Sequence, residues 1–125
     1  ELGLWMGAFE RFNKVGIKQL AAIHRGFYSY EKSVFRNDPK WELPIKLRKE
    51  VRDLPIICDA SHIAGKATLI EDIAQTAMDI NLDGLMIETH NNPSLALSDS
   101  KSKPFLLCSI TSLNGGISDA TTGKP

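Results

Sequence analysis

The chain of 125 residues lacks an excess of charge of either sign and lacks any long uninterrupted apolar run. Its 15 basic and 15 acidic side chains cancel, so it has none of the polycationic character typical of proteins that bind nucleic acid or anionic lipid. Charged residues interrupt every apolar stretch well short of a membrane span, and the chain does not start with a signal-peptide pattern. We therefore expect a soluble, cytoplasmic protein with no nucleic-acid or membrane partner.

Cysteine is scarce, and a glycine-rich phosphate loop is missing. Cys58 and Cys108 stand in separate apolar runs, at a spacing that fits no zinc finger or redox motif. They are predicted to be small buried hydrophobic residues without a disulfide. No Gly-x-Gly-x-x-Gly or Walker-type loop follows a predicted strand, which argues against a nucleotide-binding protein.

The apolar residues that are present alternate between helical and strand periodicity. The predicted elements are a helix with an apolar stripe of Leu4, Trp5, Ala8, Phe9, Phe12 and Val15 capped by Gly16, a strand over 19–23, a helix over 42–51, a strand over 54–58, a helix over 68–80, a strand over 85–87 and a weak helix over 103–113. Residues 114–125 are rich in Gly, Thr and Ser, which is typical of a tail or linker.

Strands that are apolar on both faces and separated by helices predict an α/β fold with a parallel sheet. Ionisable residues at the ends of three successive strands favour a (β/α)₈ (TIM) barrel over a doubly wound sheet. A closed barrel needs eight strands and about 250 residues, so we expect residues 1–113 to form a partial barrel of about three βα units. The chain is then a fragment, or it completes its sheet with other chains.

Potential metal ligands stand beyond the second and third predicted strands. His62, Glu88 and Asp99 offer one nitrogen and two oxygen donors. This mixed set suits Mn²⁺, Fe²⁺, Co²⁺ or Zn²⁺ better than Ca²⁺ or Mg²⁺. The sequence therefore predicts a divalent metal site at the carboxyl ends of the strands.

Strand alternation gives a prediction for the direction of two carboxylates. Asp59 shares a face with Ile57, and Glu88 shares a face with Met86. Both carboxylates are predicted to point into the barrel mouth, whereas Cys58 and Ile87 are predicted to pack against the outer helices.

Several stretches, taken in order and with their spacing, resemble the C-terminal half of the 3-deoxy-arabino-heptulosonate 7-phosphate (DAHP) synthases. The resemblance runs from about residue 4 to residue 113, and it rests on HRGF at 24–27 with YEK at 30–32, FRN at 35–37, CDASH at 58–62 with GK at 65–66, DGLMIE at 83–88 and ALSD at 96–99. These synthases are metal-dependent (β/α)₈ barrels that condense phosphoenolpyruvate with erythrose 4-phosphate, the first step of aromatic amino-acid biosynthesis. The HRGFxSYEK wording is most similar to synthases fused to a chorismate mutase domain.

The resemblance implies a role for each of the main site residues. His62, Glu88 and Asp99 would be three of four protein ligands to a metal that polarises the aldehyde oxygen or activates a water. Arg25 would grip phosphoenolpyruvate through its planar fork of donors, and Gly26 would let the backbone turn against the substrate. Arg25 and His62 are accordingly the predicted catalytic residues.

Further residues have weaker assignments under the same resemblance. Arg36, Lys66 and Lys32 are candidates for phosphate contacts, with solvated surface charge as an equal alternative. Ser61 is a candidate for substrate binding or, like His90, for support of the metal ligands. His24 stands where many relatives have a carboxylate, and it has no assigned role.

Two alternatives remain open at the level of sequence. Ala60 and the pair Thr89-His90 also resemble 3-deoxy-manno-octulosonate 8-phosphate synthase, which uses arabinose 5-phosphate. A non-catalytic half-barrel that binds or regulates is the alternative of another class. The family's fourth metal ligand, a cysteine, and its Lys/Arg-rich phosphoenolpyruvate loop belong to an N-terminal half that this sequence does not contain. We therefore expect the chain alone to bind metal weakly and to be inactive, and the intact enzyme to be a homo-oligomer.

Overall fold

The computed structural model describes residues 2–92 and Leu95. Its elements are α1 (Leu2–Lys14), β1 (Ala22–His24), α2 (Glu42–Glu50), β2 (Ile56–Asp59), α3 (Ala60–Ala64), a 3₁₀ turn (Ala67–Leu69), α4 (Ile70–Asp79) and β3 (Gly84–Met86). Within this part of the chain, the helices are all too short or too polar to cross a membrane. The helix predicted over 103–113, the predicted tail and Cys108 lie outside the described residues.

The three strands form one parallel sheet in the order β1-β2-β3. Ile23 pairs with Ile57 across the first interface, and Cys58 pairs with Leu85 across the second. Each strand is the neighbour of the one before it, as in a barrel, whereas a doubly wound sheet reverses its strand order at a switch point. The prediction of a partial (β/α)₈ barrel with parallel strands is confirmed.

The core lies between one face of the sheet and the helices. Ile56 and Cys58 of β2 are completely buried there, together with Leu47 of α2 and Ala77 of α4. On the other face, Ile23 is 45% exposed and Met86 is 40% exposed. This apolar face is only partly covered by the described residues, because three strands alone do not enclose a barrel interior.

The boundaries of the strands differ from those of the predicted apolar runs. The first two strands begin and end later in the sequence than predicted, and the third begins and ends one residue earlier. β1 excludes residues 19–21 and extends to His24, β2 begins at Ile56, and β3 is shifted by one residue toward Gly84. Ala22 N donates to Pro55 O (2.8 Å), whereas Pro55 has no N–H to donate in return. The ladder between β1 and β2 consequently starts only after this proline.

Helix α1 packs through only part of the predicted stripe, since Trp5 and Phe9 face the core whereas the ends of the stripe do not. Leu4 is 77% exposed and Val15 is 74% exposed. The residues that face the core are Leu2, Trp5, Met6 and Phe9, which follow the spacing of a narrow helical face. The predicted cap is confirmed, since Gly16 has a φ of +84° and its N–H donates to Asn13 O at 3.0 Å.

An ion pair joins three elements at the amino end of the sheet. The Arg48 guanidinium of α2 binds both carboxylate oxygens of Asp83, which also accepts a 2.7 Å hydrogen bond from Ile56 N. Arg48 donates in addition to Asn81 O at 3.3 Å. Partial burial would raise the pKa of the Asp83 carboxyl, but the hydrogen bonds from Arg48 and Ile56 outweigh it and hold the pKa below 3.8.

We expect Asp83→Asn to lower the free energy of unfolding at neutral pH by about 1–2 kcal/mol. A charge-assisted bidentate pair would be lost, although its partial exposure reduces its worth. Because the folded pKa is depressed, this stabilisation is present above pH 3.8 and is lost as the pH falls through the folded value. Urea denaturation at neutral and acid pH measures both effects. Asp79→Asn, which removes the charge of an exposed side chain that accepts from Gln75, is the control, and an equal loss in both variants contradicts the prediction.

Candidate metal and substrate site

The carboxyl end of β2 runs directly into α3, a short helix that the sequence analysis did not predict. Asp59 caps this helix, since its Oδ1 accepts a hydrogen bond from His62 N at 3.1 Å. Gly65 ends the helix with a φ of +67°, and its N–H donates to Ser61 O. Five residues are too few for a periodic apolar pattern to predict this helix. The sequence signal that could have found it is Asp59 followed six residues later by Gly65, a typical pair of helix caps.

His62 is held at its backbone and at its ring. Its carbonyl oxygen accepts a 2.8 Å hydrogen bond from Asn37 Nδ2. Its Nδ1 lies 2.7 Å from Asp59 Oδ2, at ion-pair distance, although the ring does not aim Nδ1 along a hydrogen-bond direction. Asp59 itself is only 3% exposed. Its two oxygens contact the start of α3 and the His62 ring, so the carboxylate lies beside His62 at the carboxyl edge of the sheet, and its predicted direction into the barrel mouth stays a prediction.

Glu88 lies just beyond β3 and is joined to α3 through Ser61. Glu88 N donates to Ser61 Oγ at 2.9 Å, and Ser61 is almost completely buried. Glu88 Oε2 is buried and has no hydrogen-bond partner within the described residues. The structure therefore brings Ser61, His62 and Glu88 to the same carboxyl edge of the sheet.

The loop after β1 carries Arg25 and turns sharply at once. Arg25 is exposed, and Gly26 has a φ of +75°. A Cβ on Gly26 would stand 2.7 Å from the Cβ of Asn37, so a glycine is required both by the backbone angle and by the space. Phe27 and Asp38 pair in an antiparallel bridge that closes the loop.

The far part of the same loop lies against α3. Arg36 N and Asn37 N both donate to Ile63 O, at 3.0 and 3.2 Å. A Cβ on Gly65 would stand 2.5 Å from the Cβ of Arg36, so the Arg36 side chain starts in contact with the end of α3. Lys66 follows directly and is exposed. The backbones of Arg36 and Lys66 are thus close in space. Arg25 lies at the other end of the loop that follows β1.

His24, which has no role in the sequence analysis, is completely buried beneath this loop. The rings of Trp41, Phe27 and Trp5 surround it, with centroids 5.2, 5.9 and 6.3 Å from the imidazole. Burial lowers the pKa of His24 to about 4, against the opposing effects of the Pro39 backbone and the Glu42 charge. His24 is therefore a neutral core residue that supports the loop. The aromatic residues around it are far apart in sequence, so periodicity alone did not reveal this cluster.

The predicted metal ligands are only partly within the described residues. Over residues 2–92 and Leu95, no three His, Cys, Asp or Glu side chains are grouped closely enough to hold a metal ion. Asp99, the third predicted ligand, lies outside that part of the chain. The buried carboxylate oxygen of Glu88 without a partner is costly unless a cation or donor meets it. Together with the imidazole of His62 at the same edge of the sheet, this donor chemistry fits a divalent transition metal.

Comparison with known proteins identifies the family. The sequence model of the DAHP synthetase I family matches residues 4–121. The chain belongs to the DAHP synthetase I family. A curated relative, phospho-2-dehydro-3-deoxyheptonate aldolase of Thermotoga maritima, is 33% identical over 86 residues, which are 69% of this chain.

Solved structures agree with the family assignment. The crystal structure of the Thermotoga maritima DAHP synthase is similar with a TM-score of 0.72 and 27% identity over 84% of this chain. A truncated form of 3-deoxy-D-arabino-heptulosonate 7-phosphate synthase from Thermotoga maritima has a TM-score of 0.63 and 29% identity over 74% of this chain. This member of the DAHP synthetase I family spans 25% of the curated relative and 30–35% of the two solved chains.

Proposed function

We propose that the protein containing this chain condenses phosphoenolpyruvate with erythrose 4-phosphate to give DAHP and phosphate, and that this chain supplies one part of the active site. The observation that carries the proposal is the position of His62 and Glu88 at one sheet edge, linked through Ser61, in a member of the DAHP synthetase I family. Active sites of (β/α)₈ barrels lie at this carboxyl edge.

His62, Glu88 and Asp99 are proposed to hold a divalent Mn, Fe, Co or Zn ion. The buried Oε2 of Glu88 supports this assignment, because a desolvated carboxylate is stabilised by a cation. When bound, such an ion supplies Lewis-acid polarisation of the aldehyde. His62 and Glu88 are kept in place by the hydrogen bonds of Asp59, Asn37 and Ser61.

Arg25 is proposed to bind phosphoenolpyruvate. Its guanidinium is exposed at the end of β1, and it can donate two parallel hydrogen bonds to a phosphate or a carboxylate. Gly26 lets the loop turn away directly after it, so the chain leaves room on that side of Arg25. Arg36, which meets the end of α3 at Gly65, and Lys66, the next residue, are proposed to contact the substrate phosphates. Ser61 is proposed as a further substrate contact.

The proposed reaction forms one carbon–carbon bond and releases one phosphate. A carbon–carbon bond forms between the methylene carbon of phosphoenolpyruvate and the aldehyde carbon, and water attacks the enol carbon before the phosphate leaves. The Arg25 fork would hold the phosphoenolpyruvate and balance the charge of the departing phosphate. We also propose, from the family resemblance, that the intact protein is a cytoplasmic homo-oligomer.

The proposal is tested by phosphate release from phosphoenolpyruvate, using the gene product that contains this chain. We expect release with erythrose 4-phosphate, loss after treatment with a chelator and recovery with Mn²⁺. The 125-residue chain alone should be inactive. Faster release with arabinose 5-phosphate would instead favour an octulosonate synthase. If Mn²⁺ binds but no phosphate is released from phosphoenolpyruvate in the presence of either aldehyde, a non-catalytic half-barrel is favoured.

A further inference from the structure

Asp59 contacts His62 through both of its carboxylate oxygens. Oδ1 accepts the 3.1 Å hydrogen bond from His62 N, and Oδ2 lies 2.7 Å from His62 Nδ1. The carboxylate is 3% exposed, so water does not compete effectively for these contacts. One residue thus touches both the backbone and the ring of the proposed ligand.

The two contacts constrain different parts of His62. Its backbone is already fixed at two points, by Asp59 Oδ1 at the N–H and by Asn37 Nδ2 at the carbonyl. The contact between Oδ2 and the ring is therefore not needed to keep α3 in place. It acts on the imidazole alone.

A carboxylate oxygen at this distance decides where the ring proton lies. A neutral imidazole carries its proton on one nitrogen and a lone pair on the other. Nδ1 is only 2.7 Å from the negative Oδ2, although off the ideal hydrogen-bond direction, so a lone pair on Nδ1 is repelled by it and a proton on Nδ1 is attracted. The proton is accordingly expected on Nδ1, and the lone pair on Nε2.

We propose that Asp59 is a positioning residue that holds His62 in the Nδ1–H tautomer and thereby makes Nε2 the atom available to a metal ion. The consequence for metal binding rests on the proposed function, but the tautomer does not. Carboxylates that orient histidine ligands in this way typically change metal affinity by about 10–100-fold when removed.

The variant Asp59→Asn should reverse the tautomer without removing the helix cap. The N–H of His62 requires an acceptor, so the amide oxygen of the new side chain must face the backbone. Its NH₂ group then faces Nδ1 and favours a lone pair there. The proton moves to Nε2, which then has no lone pair to offer a metal ion.

The tautomer is measured by nitrogen-15 NMR of the imidazoles in the metal-free chain, above the pH at which they protonate. The chain has 3 histidines, which are assigned by single substitutions. We expect a protonated Nδ1 in the wild-type His62 and a protonated Nε2 in Asp59→Asn, with unchanged far-ultraviolet circular dichroism. Ser61→Ala removes the hydrogen bond to Glu88 N but does not touch the ring, so its His62 should keep the wild-type tautomer. A protonated Nε2 in the wild type, or the same tautomer in Asp59→Asn, would overturn the proposal.

Mn²⁺ titration of the same variants separates this proposal from the proposed function. We expect Asp59→Asn to weaken Mn²⁺ binding about 10–100-fold. If the tautomer reverses and Mn²⁺ affinity is unchanged, the positioning role of Asp59 stands and the assignment of His62 as a ligand is wrong.

Discussion

Glu88→Gln is expected to lower the rate of DAHP formation by the gene product that contains this chain about a thousand-fold, a loss of ~4 kcal/mol of transition-state stabilisation. The substitution replaces a half-buried carboxylate, whose buried Oε2 has no hydrogen-bond partner in the described chain, with a neutral amide of the same shape. A neutral ligand neither balances the charge of a divalent cation nor holds it firmly. Steady-state rates and Mn²⁺ titration measure the two losses.

The same variant should not unfold the protein. The hydrogen bond from Glu88 N to Ser61 Oγ uses the backbone and survives the change. Removing the charge of a carboxylate that has a buried oxygen is expected to leave thermal stability equal or higher in the absence of metal. Glu71→Gln, in the exposed first turn of α4, is the matched control and should retain full activity. A Glu88→Gln enzyme with more than about a tenth of the wild-type rate would remove Glu88 from the ligand set.

Acid is expected to destabilise the chain by about 3 kcal/mol through His24 alone. Burial lowers the pKa of His24 from its ordinary 6.5 to about 4. Between these values the unfolded chain binds a proton that the folded chain does not. Stability therefore falls as the pH drops below 6.5, and this loss levels off near pH 4.

His24→Phe should remove this part of the acid sensitivity, because the ring stays aromatic but no longer titrates. Urea denaturation across the pH range gives the free energy of unfolding for both chains. The chain's 2 tryptophans, Trp5 and Trp41, both pack on His24, so intrinsic fluorescence reports directly on this cluster. An acid dependence that is identical in the wild type and in His24→Phe would contradict the assignment.

Apolar periodicity was enough to predict the main helices and strands. A helix buries apolar residues three and four positions apart, whereas a buried parallel strand is a short continuous apolar run. Periodicity failed where contacts between distant residues decide. The end of β1 at His24 depends on pairing with β2, and the core face of α1 depends on what the helix packs against. The five-residue α3 is too short to have a period, so its existence depends on its two caps.

For the candidate site, motif order predicted which residues matter but not how they are held. Ser61 was predicted to support the metal ligands or to bind substrate. Its hydrogen bond from Glu88 N was not predicted, because it joins residues 27 positions apart in the sequence. Strand alternation predicted a face for Asp59 but not its contacts, since the cap of α3 and the approach to the His62 ring are decided by the fold.

The sequence by itself determined the α/β class, the parallel order of elements and the family, because apolar spacing and short motifs are local properties of the chain. The tertiary structure alone decided that His24 is a buried neutral ring, that Asp59 meets His62 at both oxygens and that Glu88 has a buried oxygen without a partner among the described residues. Burial and hydrogen-bond direction arise only when distant segments meet. They set the charge and proton position of each group, and so the chemistry available at the carboxyl edge of the sheet.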